Sequence, residues 1–311
     1  MELEYEDYIV VFDEVKNMAY QYFNYHSDIQ SHYKFPVNIE FSIDDLEHQS
    51  IALSNRKSEG NYLVKISAGM LKELWFLANK LSKDTNFLSL VKTSENSQKA
   101  IRNYLFYFYV DLIICHEWSH IFCGHLDFIE DCFLKGVKIL SDDEFGINKI
   151  LELEADSKAV TLVLARLAEN YNNISSDIYG TKTSHSLERT WEIFVYSTLS
   201  LFDYWESKSN KISESHPPIP YRVFTSIMFV SGEVSDNQGI RNQLPFIGRN
   251  EDEINASFMK ILIKFYIEYK NQDIENISTE LVKAFKHCSK IGKGIEELNL
   301  NDYRLIKAKW T

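Results

Sequence analysis

Apolar residues recur at helical spacing near the start of the chain. Ile9, Phe12, Val15, Ala19, Tyr22 and Phe23 predict a helix over about residues 5–26. Three short β-like runs follow, at 37–43, 50–55 and 62–67. The last two flank a polar stretch containing Gly60, which predicts an antiparallel hairpin. A helix is expected over 70–81 and a loop over 82–97, where Ser, Lys and Asn dominate. A long helix is expected over 98–123, stopped by Gly124. Residues 126–145 read as mixed and partly irregular. A further helix spans 147–168, and 171–184 reads as a surface loop. Helical periodicity returns at 186–207, 219–231, 251–270 and 275–289. The order is helix, small sheet, helix, then many helices. That is an α+β chain, predominantly helical, with a small antiparallel or mixed sheet.

A chain of 311 residues suits one large domain or two closely packed ones. The division expected is a catalytic core over 1–170 and a helical subdomain over 171–311 that completes the cleft. Composition adds constraints. The net charge of −12 disfavours nucleic acid, whose phosphates are held by Lys and Arg. Lys286, Lys290 and Lys293 are interrupted and read as a solvated helix face. The cysteines Cys115, Cys123, Cys132 and Cys288 form no CxxC pair. Reduced, buried thiols are expected, as suits the cytoplasm. Met1–Asp7 holds acids and no basic residue, unlike a signal peptide. The longest apolar stretches fall short of the ~20 residues of a membrane span, so no transmembrane segment is expected.

The chemistry concentrates in His116-Glu117-Trp118-Ser119-His120, an HExxH pattern inside the long apolar helix. Residues four apart differ by about 400° of rotation, so both imidazoles leave one face, one turn apart. Two such nitrogens suit a single zinc ion. Glu117 points to the side of that face, where its carboxylate can take a proton from the water that zinc acidifies. The pattern also arises by chance in amphipathic helices, so context decides.

A zinc enzyme needs a third protein ligand and an open fourth position. Glu152-Leu153-Glu154-Ala155-Asp156 opens a later helix. Glu152 and Asp156 share a face, which makes Glu152 the expected third ligand. Asp156, one turn along, is expected to accept a hydrogen bond from a ligand imidazole and fix its tautomer. Glu154 lies about 200° round from Glu152 and reads as an acid favoured by the helix dipole. His125, five residues beyond His120, reads as structural. Further on, Ser215-His216-Pro217-Pro218-Ile219-Pro220-Tyr221-Arg222 precedes another helix. It reads either as a proline-stiffened helix start or as a turn that aims His216 or Arg222 at an oxyanion.

These elements, in this order, resemble the gluzincin peptidases of the HtpX and CaaX-prenyl-protease type. The resemblance rests on His116 to His120 with Gly124-His125, on Glu152 with Asp156, and on His216-Pro217 through Arg222. It spans roughly residues 60–230. It implies a zincin-like fold and a zinc endopeptidase cutting protein or peptide substrates, with Glu117 as base and His216 or Arg222 aiding the transition state. HtpX-type enzymes carry transmembrane helices, and none is expected here. In this the chain is similar to the soluble phage-exclusion peptidases of the Lit type, which implies a role in bacterial phage defence or stress. Two alternatives stand beside this reading. One is a regulatory protease resembling the ImmA/IrrE group, acting on a repressor. The other is a non-catalytic, metal-stabilised interaction module, which intact Glu117 disfavours.

Overall fold

The computed structural model describes residues 37–93, 95–135, 146–208, 219–244, 247–248 and 250–273, with scattered positions in 13–21 and 275–304. Most of the helix expected over 5–26, the acidic stretch 142–144, Cys288 and the turn bearing His216 lie outside the described residues.

The chain is α+β and predominantly helical. Three strands, β1 (Asn38–Asp44), β2 (Ala52–Ser58) and β3 (Asn61–Ser67), form one mixed sheet in the order β1-β3-β2. The expected hairpin joins β2 to β3, with Ser54 opposite Val64; β1 pairs parallel to β3, with Phe41 opposite the same Val64. Central strand β3 alternates, burying Tyr62, Val64 and Ile66 on one face. It leads directly into α1 (Ala68–Leu81), where the Ser67 hydroxyl caps the helix by accepting from the Met70 N–H at 3.0 Å.

Helix α2 (Thr85–Leu90) precedes α3 (Gln98–Phe122), the centre of the molecule. From Leu105 to Ile121 nearly every residue of α3 is buried, because apolar side chains occupy all its faces. Around it lie α4 (His125–Leu134), α5 (Ile147–Tyr179), α6 (Ser184–Lys208), α7 (Ile219–Asp236), α8 (Gln238–Gln243) and α9 (Glu251–Lys264). Helix α5 packs along α3, and Arg166 of α5 pairs with buried Asp111 of α3 at 2.5 Å. Trp191 of α6 stacks on Phe194 and meets Phe258 of α9 edge-on, extending the core outward. Among the described residues no helix is long and apolar enough to cross a membrane.

Three segments differ from expectation. The stretch read as loop before α3 contains α2, capped by the Asp84 carboxylate. The stretch read as irregular after Gly124 begins with α4. Helix α5 runs through the segment read as a surface loop over 171–184, as far as Tyr179, so the division expected at residue 170 falls inside it. The polar run Asn172, Asn173, Ser175 and Ser176 disguises the continuation. Its buried side, Tyr171, Ser175 and Ile178, keeps the helical period, and the Tyr179 hydroxyl donates to the Val91 carbonyl at 3.0 Å.

Candidate metal centre

Helix α3 delivers His116 and His120 from one face, as their four-residue spacing requires. Their Nε2 atoms lie 3.2 Å apart. Helix α5 crosses beside them and brings in Glu152. Its carboxylate oxygens lie 3.3 Å from His116 Nε2 and 3.6 Å from His120 Nε2. One donor atom from each of the three falls within 4.8 Å of the others.

Behind His116, its Nδ1 donates to Asp156 Oδ1 at 2.9 Å. Asp156 in turn accepts two hydrogen bonds from Arg222 on α7, 2.6 Å from Nε and 2.7 Å from Nη2. This bidentate pair is buried on both sides. The Arg222 guanidinium also lies over the rings of Phe202 and Trp205, at 4.7 and 5.3 Å from their centroids. Both of its described polar contacts therefore point at Asp156, one residue removed from the histidine cluster.

Behind His120 runs a second chain that the sequence reading missed. His120 Nδ1 lies 3.0 Å from His125 Nδ1, and His125 Nε2 lies 3.0 Å from Glu154 Oε2. Arg304 donates to the other Glu154 oxygen at 2.6 Å. His125 is fully buried, and Glu154 is nearly so. Glu154 departs from its expected place. Glu154 sits two turns inside α5 rather than at an exposed helix start. His125 is not carried past the ligand face by α3, because the chain turns at Gly124. That glycine adopts the left-handed φ of +76°, ends α3 and starts α4, which swings His125 back against His120. The signal available was Gly124-His125, four and five residues after the second histidine of the motif.

Glu117 is also buried, and Ser54 of edge strand β2 hydrogen-bonds its carboxylate through backbone and side chain. Burial raises the Glu117 pKa, opposed by His116 and by the Ser54 hydrogen bonds. Burial opposes a charge on His116, but Asp156 and Glu152 outweigh it and raise the imidazole to about 10. Burial and the neighbouring His116 lower His120 to about 3. Burial opposes ionisation of Asp156, yet Arg222 and His116 hold its carboxyl well below the usual range. Glu154 is lowered too, with His125 and Arg304 overcoming its burial.

Of the residues singled out from the sequence, His116, His120, Glu152, Asp156, Glu117 and Arg222 converge on this one region, while His216 lies outside the described residues. Among the described cysteines, Cys115, Cys123 and Cys132 are buried and form no disulfide.

A helix-rich α+β chain that turns two imidazoles and a carboxylate towards one point carries the donor set of a metal-binding enzyme. The chain belongs to the peptidase U49 family, whose model matches residues 64–240, from β3 into α8. No curated protein and no solved structure matches the chain.

Proposed function

We propose that this peptidase is a zinc-dependent endopeptidase whose metal is held by His116, His120 and Glu152. One observation carries the reading. Donors on a tetrahedral zinc, bonded at ~2.0–2.1 Å, lie about 3.3 Å from one another. Here the two imidazole Nε2 atoms stand 3.2 Å apart, one Glu152 oxygen lies 3.3 Å from His116 Nε2, and the other lies 3.6 Å from His120 Nε2. Three ligands leave a fourth position for water or substrate, as catalysis needs.

When bound, zinc supplies Lewis acidity towards a water and a peptide carbonyl. Glu117 adjoins the cluster without belonging to it. Its ionised carboxylate takes a proton from the attacking water as the new C–O bond forms. It then returns that proton to the amine as the C–N bond breaks. Ser54 orients the carboxylate, and burial keeps its basicity above that of an exposed glutamate. Asp156 fixes His116 with its proton on Nδ1, leaving Nε2 free for metal. Arg222 holds Asp156 in that geometry, so its contribution is positioning. His216, three residues before Ile219 opens α7, lies outside the described residues and stays the candidate donor to the oxyanion.

The setting we propose is cytoplasmic and bacterial, in phage defence or stress. It is supported by the resemblance to soluble phage-exclusion peptidases and by the lack of a disulfide among the described cysteines. Comparing cut sites in a cell proteome exposed to wild type and to Glu117→Gln tests the reading. The expected result is a set of cleavages that vanishes with Glu117→Gln, whose rate should fall by about 10²–10⁴ while zinc is retained. Unchanged cleavage by that variant would move the base elsewhere.

A further inference from the structure

Cys123, His125 and Glu154 form a second buried group of metal-type donors beside the first. It does not suit a second ion while the first is filled. Zinc on His120 Nε2 leaves that ring's proton on Nδ1, which faces His125 Nδ1. His125 must then accept there and carry its own proton on Nε2, the atom that faces Glu154. A metal on His125 Nε2 would reverse both tautomers and put a proton on the His120 atom that zinc needs. The chain of contacts is consistent only as a relay of donors running away from the first site: His120 to His125, His125 to Glu154, with Arg304 closing on Glu154.

Arg304 reaches that relay from far along the chain, within a short segment that several contacts fix. Leu300 packs with Phe128, Cys132 and Leu151 in a small separate core. The Tyr303 ring meets Phe128 edge-on, and its hydroxyl donates to Asp131. The Tyr303 carbonyl lies directly over Gly124, where a Cβ would come within 2.3 Å of it. The segment is thus seated on the α3–α4 turn that places His125. Arg304 lies beyond the stretch matched by the family model, which ends at residue 240.

We propose that the segment Leu300–Arg304 is a positioning clamp for the metal site, acting through Arg304, Glu154 and His125 on the tautomer and orientation of His120. This inference rests on His120 being a ligand, as proposed above. Outer partners of ligand histidines are commonly worth 10–100-fold in metal affinity.

The test measures zinc affinity of the full chain by chelator competition, with folding of the metal-free proteins followed by thermal melting. Arg304→Ala and Glu154→Ala should weaken zinc by about tenfold or more, and Arg304→Lys should recover part of the loss. Tyr303→Phe removes one of the several contacts that seat the segment, keeps the ring on Phe128, and should cost less zinc affinity than Arg304→Ala. The cobalt-substituted Arg304→Ala protein should also show shifted ligand-field bands, a change that loss of packing alone would not produce. Wild-type affinity in folded Arg304→Ala overturns the clamp. If an alanine variant fails to fold, Arg304→Lys and Glu154→Gln decide by the same comparison: unchanged affinity in both overturns the proposal. A wild-type chain that binds no zinc overturns the metal site itself, and the clamp with it.

Discussion

His116 and His120 leave the same helix one turn apart, yet their outer nitrogens are anchored differently. Behind His116 stand Asp156 and Arg222, both on long helices, both buried, joined by two short hydrogen bonds. Behind His120 stand His125 and Glu154, and then Arg304, whose side chain keeps about a quarter of its surface exposed. The first support is a dry ion pair inside the helical core. The second ends near solvent on a short C-terminal segment. A dry pair resists rearrangement and penalises loss of either member, whereas a pair near solvent lets the remaining partner rehydrate.

The largest expected effect sharpens this contrast. Asp156→Ala leaves the Arg222 charge buried among Phe202 and Trp205, and should destabilise the metal-free fold by about 3–5 kcal/mol. Chemical denaturation measures it. A loss below ~1 kcal/mol would mean that Arg222 escapes to water and that the two sides are alike. Glu154→Ala frees Arg304 to turn outward, so its cost should be smaller, about 1–3 kcal/mol. An Asp156 variant more stable than the Glu154 variant would reverse the comparison.

Gly124→Ala attacks the turn that brings His125 to His120. The left-handed backbone alone costs a side chain about 1–2 kcal/mol, and the new Cβ would collide with the Tyr303 carbonyl. Both lower stability and weaker zinc are expected, measured by melting with and without metal. Unchanged zinc affinity would separate the turn from the site.

The smallest effect concerns protons. In the metal-free protein His116 keeps a proton up to about pH 10, while His120 has lost its own above about 3. Zinc must therefore expel one proton, from His116, throughout the neutral range. The sign follows: apparent affinity should rise about tenfold per pH unit between roughly pH 6.5 and 8.5, about 1.4 kcal/mol each. Titration in buffers of different ionisation enthalpy counts the proton. A flat profile would mean that His116 is already neutral, and that Glu152 and Asp156 do not hold its charge.

The same contrast explains what was legible in the sequence. The His116 side follows from spacing within single helices: His116 with His120, and Glu152 with Asp156, each four apart. The β2–β3 hairpin was legible for a similar reason, since Gly60 separates two runs of strand character. The His120 side depends on a reversal at Gly124, where rotation counted along one helix no longer applies. It depends also on Arg304, 150 residues from the glutamate it holds. The extension of α5 was hidden because its buried residues, Tyr171, Ser175 and Ile178, stand among polar ones that resemble a loop. Arg222 was legible as a residue of interest, but not its partner. Only packing of α7 on α5 sets the guanidinium against Asp156.

We propose that His116, His120 and Glu152 hold one catalytic metal. Metal analysis of the purified chain, stripped and reloaded with zinc, tests it most directly when wild type is compared with Glu152→Ala and Glu117→Gln. One tightly held zinc per chain is expected in wild type and Glu117→Gln, and loss of tight binding in Glu152→Ala. Full, tight zinc in a folded Glu152→Ala protein, or none in wild type, would contradict it.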